Sequence, residues 1–132
     1  MAHHGRKVQA IEVEDTSHVA FRSECGATGT IHLSWSIHKE QPTYIDVYGT
    51  EGMLSLGWKG SRYRQHHSNT WVDFGNGYDK NRAFQNQLTN FVGVCQGNDS
   101  PRITEADARA SVQVIEAAYR SASDGSWQSL GT

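Results

Sequence analysis

Seven histidines in a chain of 132 residues are the first candidates for chemistry, because imidazole is a common metal ligand and proton carrier. His32 and His38 are spaced to share one face of an extended segment, and His66-His67 is an adjacent pair. Adjacent residues on a strand point to opposite faces, so that pair does not converge on one ion. No His-x-x-x-His helix motif and no Cys/His cluster occurs. A metal site is therefore not expected. Gly75-Asn76-Gly77 precedes a helical stretch in the manner of a dinucleotide loop. Lys80 stands where the third glycine would be, and no βαβ unit surrounds it, so the segment reads as a turn. No Gly-x-Ser-x-Gly elbow and no Walker loop is present. Asp46 and Glu51 are near in sequence, yet a general acid and base need a shared pocket. Trp35, Trp58, Trp71 and Trp127 read as core or interface residues before they read as a stacking platform.

The elements that carry these residues follow from hydrophobic spacing. Met1–Lys7 is polar and reads as a frayed end, and Val8–Val13 holds a short Ile11/Val13 alternation. Val19 and Phe21 alternate with His18, Ala20 and Arg22. After a Glu24-Cys25-Gly26 turn, Ile31, Leu33, Trp35 and Ile37 alternate with Thr30, His32, Ser34, Ser36 and His38, which predicts a hairpin. Tyr44–Tyr48 and Met53–Trp58 flank Thr50-Glu51-Gly52 as a second hairpin. Two more polar strands, Arg62–His66 and Thr70–Phe74, follow around Ser68-Asn69.

The period then changes from two to about 3.6. Phe84, Leu88, Phe91 and Cys95 predict a helix over 79–96. Pro101 ends that segment, and Thr104 with Asp107 predicts a capping box. Ala108, Val112, Ile115, Tyr119 and Ala122 recur on one helical face, with Arg120 in the expected last turn and Asp124-Gly125 at the stop. Trp127–Leu130 alternates like a short closing strand. Strands first and helices later predict an α+β fold: an open, mostly antiparallel or mixed sheet with two helices on one face. The other face stays free for ligand or oligomer contacts. It carries His32, Ser34, Ser36, Tyr44, Asp46 and Tyr48, the candidate substrate or interface residues. The Arg62–Trp71 hairpin is a second candidate.

Composition narrows the classes. The length suits one domain, with 36% hydrophobic and 20% charged residues. A net charge of −2 without a basic run argues against nucleic acid as partner. No apolar run reaches the roughly eighteen residues of a membrane span, and no signal peptide is read. Two separated cysteines, Cys25 and Cys95, fit free thiols in a cytoplasmic setting.

Four motifs occur in order: Asp15-Thr16 with Cys25-Gly26-Ala27-Thr28-Gly29, then Ser34-Trp35-Ser36, then Tyr48-Gly49-Thr50-Glu51-Gly52-Met53-Leu54-Ser55-Leu56, then Pro101 to Leu130. Together they resemble the C-terminal domain of the glucose–fructose oxidoreductase / inositol dehydrogenase (Gfo/Idh/MocA) family. The resemblance runs from about residue 14 to residue 130. Residues 1–13 then read as an N-terminal arm or an appended remnant, and 14–132 as the substrate and oligomerisation domain. The resemblance implies NAD or NADP for the full-length enzyme, with sugars, inositols or related polyols as substrates and a homo-oligomer formed through the open sheet. The family's Rossmann fingerprint, its lysine, and its Gly-rich segment with aspartate and histidine are not matched here. No catalytic, cofactor-binding or metal-binding residue is therefore carried over, and the isolated chain is expected to be inactive. The alternative is a stand-alone, non-enzymatic module for small-ligand binding or dimerisation.

Overall fold

The computed structural model describes residues 1–5, 10–37 and 40–131. Val8 and His38, which entered the sequence reading, lie outside them. The chain divides into two compact units, Met1–His38 with Ile103–Thr132, and Lys39–Arg102. The α+β class is borne out, with the strands distributed over two open antiparallel sheets. The ladder ends at Ser34, whose Oγ accepts the N–H groups of Ser36 and Ile37 at 3.1 and 3.2 Å. That serine turn satisfies backbone donors that a continuing strand would have offered to a neighbour.

In the first unit, β1 (Ala2–Gly5), β2 (Thr16–Arg22) and β3 (Thr28–Ser34) pair in that order. The polar start of the chain, read as a frayed end, is thus a strand. Its polarity arises because it alternates: Ala2 points inward and is 1% exposed, whereas His3 points to solvent. The Ile11/Val13 alternation makes no strand; residues 11–13 are bends. In β2 the Phe21 ring lies over Gly29 of β3, where any Cβ would strike it.

Helix α2 (Glu105–Asp124) begins as its sequence predicts. The Asp107 N–H donates to Thr104 Oγ1 at 3.2 Å, and the Thr104 N–H donates to the Asp107 carboxylate at 2.8 Å. Gly125 closes the helix in the left-handed region at φ 70°. Three expectations change here. The buried face is Ala117, Ala118 and Ser121, roughly a third of a turn from the predicted stripe of Val112, Ile115 and Tyr119. Small side chains let the helix approach β1 closely enough for Ser121 Oγ to accept the Ala2 N–H at 3.0 Å. Arg120 is not in the last turn, because the helix continues to Asp124; it faces Glu116 at 3.9 Å instead. Trp127–Leu130 makes no strand. The Asp124 carboxylate accepts from the Ser126 N–H and from Gln128 Nε2, at 2.9 and 2.8 Å, which binds this segment to the helix end.

In the second unit, β4 (Thr43–Gly49), β5 (Gly52–Gly57), β6 (Ser61–Gln65) and β7 (Val72–Phe74) form a four-stranded meander, followed by α1 (Lys80–Cys95). The Thr50-Glu51 hairpin requires Gly52, which sits at φ 152° with its α-carbon against the Arg64 carbonyl. Asp79 caps α1 by accepting the Arg82 N–H at 3.0 Å. Asn90 fastens the following segment to the helix: it donates to the Ser100 carbonyl at 3.0 Å and accepts the Arg102 N–H at 3.1 Å.

Candidate ligand-binding face

Directly opposed residues in an antiparallel sheet lie on the same face. The register therefore sorts the four-stranded sheet into two chemistries. Val47, Leu54, Tyr63 and Val72 form one row across all four strands. Asp46, Ser55, Arg62 and Asp73 form the adjacent row, on the opposite face. Tyr48, Met53 and Arg64 extend that polar face by a further row.

The polar face opens into a cleft of about 860 Å³ lined by Thr43, Ser55, Trp58, Lys59, Arg62 and Asp73, among others. Aromatic rings gather at one end. Tyr44 lies 4.7 Å from Trp58 between ring centroids, and Trp58 lies 5.9 Å from Tyr78. Tyr44 reaches Trp58 because the pairing shifts by one residue between Thr43 and Ile45, which re-aims its side chain. The Arg62 guanidinium sits 4.4 Å from the centre of the Trp71 ring, and that of Arg64 sits 5.5 Å away. The ring's quadrupole attracts a cation at this distance, and Arg64 Nη2 also donates to Met53 Sδ at 3.4 Å. Ser55, nearly buried, supplies a hydroxyl at the floor. Mixed charge, aromatic faces and hydroxyls in one cleft suit a small polar ligand better than a hydrocarbon.

The sequence-predicted site residues divide between the units. His32, Ser34 and Ser36 belong to the first; Tyr44, Asp46 and Tyr48 belong to the second. Asp46 accepts from Thr43 Oγ1 at 2.9 Å and opposes Ser55, so it lies in the cleft row. Ser34 is engaged with Thr16 Oγ1 at 2.9 Å and with the serine turn. Ser36 Oγ is buried and, among the described residues, has no hydrogen-bond partner. Asp46 and Glu51 are not brought together: Glu51 stands at the hairpin tip, several residues along the strand. The tryptophans are not core residues. Trp35 is 85% exposed, and Trp58 and Trp127 are about half exposed. The Arg62–Trp71 hairpin is where stacking occurs, and its signal was present in the sequence as Arg62 and Arg64 two apart on one strand face. Ser55 and Asp73 gave no such signal, because only the register places them beside Arg62.

In the first unit, Tyr119 Oη donates to Glu14 Oε1 at 2.6 Å, and the Tyr119 ring lies 5.1 Å from His4. This hydrogen bond lowers the pKa of Glu14 and raises that of the Tyr119 phenol. The Cys25 thiol is lowered by its contact with Ser23 Oγ at 3.0 Å. Asp107 is lowered by the Thr104 hydroxyl that caps α2, and Asp124 by the Ser126 backbone N–H. Each of these shifts has a cause in holding turns, caps and tertiary contacts.

The described residues do not fit a dinucleotide. Every described strand pair is antiparallel, so no parallel βαβ unit is formed. Gly77 packs its α-carbon against the Trp58 and Lys59 backbone, which leaves no approach for a pyrophosphate. The start of α1 is occupied by the Asp79 carboxylate, an anion where a phosphate would have to lie.

Residues 1–55 match the model of the GFO/IDH/MocA C-terminal domain, the family that the four motifs resemble, and the match begins at residue 1. Among solved structures, the chain is similar to an oxidoreductase from Agrobacterium radiobacter in complex with NAD+, L-tartaric acid and magnesium. The TM-score is 0.75 and identity 19%, with 95% of this chain and 41% of that one covered. It is also similar to the WlbA dehydrogenase from Bordetella pertussis in complex with NADH and UDP-GlcNAcA. There the TM-score is 0.60 and identity 22%, with 98% of this chain and 38% of that one covered. The chain thus shares its fold with about two fifths of each of these longer proteins. No curated protein matches.

Proposed function

We propose that the chain is the substrate-side domain of an NAD(P)-dependent oxidoreductase acting on sugars, inositols or related polyols. The observation that carries this reading is the cleft of the four-stranded sheet. Trp58 offers a ring face for a sugar's C–H surface, while Lys59, Arg62, Asp73 and Ser55 offer donors and acceptors for hydroxyls. The match of residues 1–55 and the fold shared with dehydrogenases support it. The nicotinamide cofactor would carry the hydride chemistry and be held outside the described residues. The chain's own residues bind and orient, and hydride transfer by the isolated chain is not expected.

A homo-oligomer in the cytoplasm completes the proposal. Val47, Val72 and Ile45 on one sheet, and Phe84, Leu88 and Phe91 on α1, are about half exposed or more, which is a large apolar area for contact. Titration of the chain into NADH and NADPH, followed by nicotinamide fluorescence, should give no saturable binding. Clear saturation would overturn the assignment of the cofactor to a separate domain. Binding of the cleft is tested by calorimetry with inositol, glucose and a uronic acid: the reading expects binding of at least one, lost in Trp58→Ala. A second reading, a stand-alone dimerisation module, is favoured by the same apolar exposure and predicts self-association with no polyol binding.

A further inference from the structure

The register of the three-stranded sheet makes a juxtaposition that the sequence hides. His3 stands opposite His18, and His18 stands opposite His32. The three imidazoles therefore form one row across β1, β2 and β3, on the face opposite Ala2, whose face packs on α2. All three are exposed. At one end of the β2–β3 ladder the Trp35 N–H donates to the Asp15 carbonyl at 2.9 Å. At the other end the Ser23 N–H donates to the Ala27 carbonyl at 2.8 Å. The two-residue alternation between these points makes His18 and His32 a pair without mutual backbone bonds, the type that brings side chains closest. Their ring centroids are 4.5 Å apart, tilted by 54°.

We propose that His18 and His32 chelate a late first-row divalent metal ion, Zn2+, Ni2+ or Cu2+, with water completing the coordination. Imidazole suits these ions. Each nitrogen would lie about 2.0–2.1 Å from the metal, which sets the two nitrogens about 3.4 Å apart in a tetrahedral site. Rings already 4.5 Å apart reach that spacing by rotation about χ2, a broad and soft torsion for histidine. His3 is one strand further and joins only by turning toward the pair. Among the described residues no three such side chains converge as they stand. The flanking positions on this face, Ala20, Thr30, Thr16 and Ser34, are small and uncharged, so they neither crowd nor repel an ion. Binding would clamp β2 to β3 and stabilise the first unit, since only the folded sheet holds both ligands at this spacing.

The test uses the full chain after removal of metals by a chelator. Calorimetric titration with Zn2+, then Ni2+, should show one ion bound per chain, with a Tm that rises with metal concentration. His18→Ala and His32→Ala should each weaken binding at least about tenfold. His3→Ala should weaken it less, and His66→Ala with His67→Ala, the other close imidazole pair, should leave it unchanged. Binding that survives both sheet variants, or no binding at all, overturns the proposal. Should the sheet variants fail to fold, Cu2+ added to the wild-type chain discriminates by NMR. Broadening of the His18 and His32 ring signals supports the site; broadening confined to His66 and His67 overturns it.

Discussion

The Tyr119–Glu14 hydrogen bond ties α2 to the segment before β2, and it holds between two opposed titrations. Glu14 has a lowered folded pKa, so its contribution is present above its unfolded value of about 4.3 and lost as pH falls through the folded one. Tyr119 has a raised folded pKa, so its contribution is present below about 10 and lost as pH rises through the folded one. Tyr119→Phe should therefore lower the urea midpoint at pH 7, with the difference from wild type shrinking at pH 3 and at pH 11. A difference constant across pH would contradict the bond. Ser121 is 2% exposed and serves both Ala2 and the Ser126 carbonyl. Ser121→Ala leaves the Ala2 N–H buried and unpaired, and should cost about 1–3 kcal/mol by urea denaturation.

At the level of the element, α2 depends on its first turn. Thr104→Ala removes the acceptor for the Asp107 N–H and should cost about 1 kcal/mol in the same assay. Asp107 has a lowered folded pKa, so the capping contribution is present above about 3.9 and lost as pH falls through the folded value. The Thr104→Ala penalty should narrow below that pH. The β4–β5 hairpin depends on Gly52. Gly52→Ala meets both a positive φ and the Arg64 carbonyl, so instead of the gain that alanine brings at a permissive site it should cost more than about 1 kcal/mol. Circular dichroism melts would show it.

For the whole molecule, the exposed apolar faces predict association. Light scattering at high concentration should give about twice the 14.7 kDa of one chain; a strict monomer would sink the oligomer part of the proposed function. Val112 and Ile115 of α2 are more than half exposed and add to the apolar area that a partner would cover.

Local chemistry was legible in the sequence wherever a residue acts on its near neighbours. The Thr104–Asp107 capping box, the Gly125 stop, the Thr50-Glu51-Gly52 turn and the strand periods all depend on contacts within a few positions. The α+β class followed from their order, and the family resemblance from four short motifs. What only the tertiary structure decided depends on register and on which helical face meets a sheet. A one-residue difference in pairing moves a side chain to the opposite face. No local spacing brings Arg62 beside Asp73 and Ser55, or His18 beside His3 and His32. Nor does hydrophobicity alone choose the buried face of α2. Val112 and Ile115 are the more apolar stripe, yet close approach to β1 selects the small residues Ala117, Ala118 and Ser121.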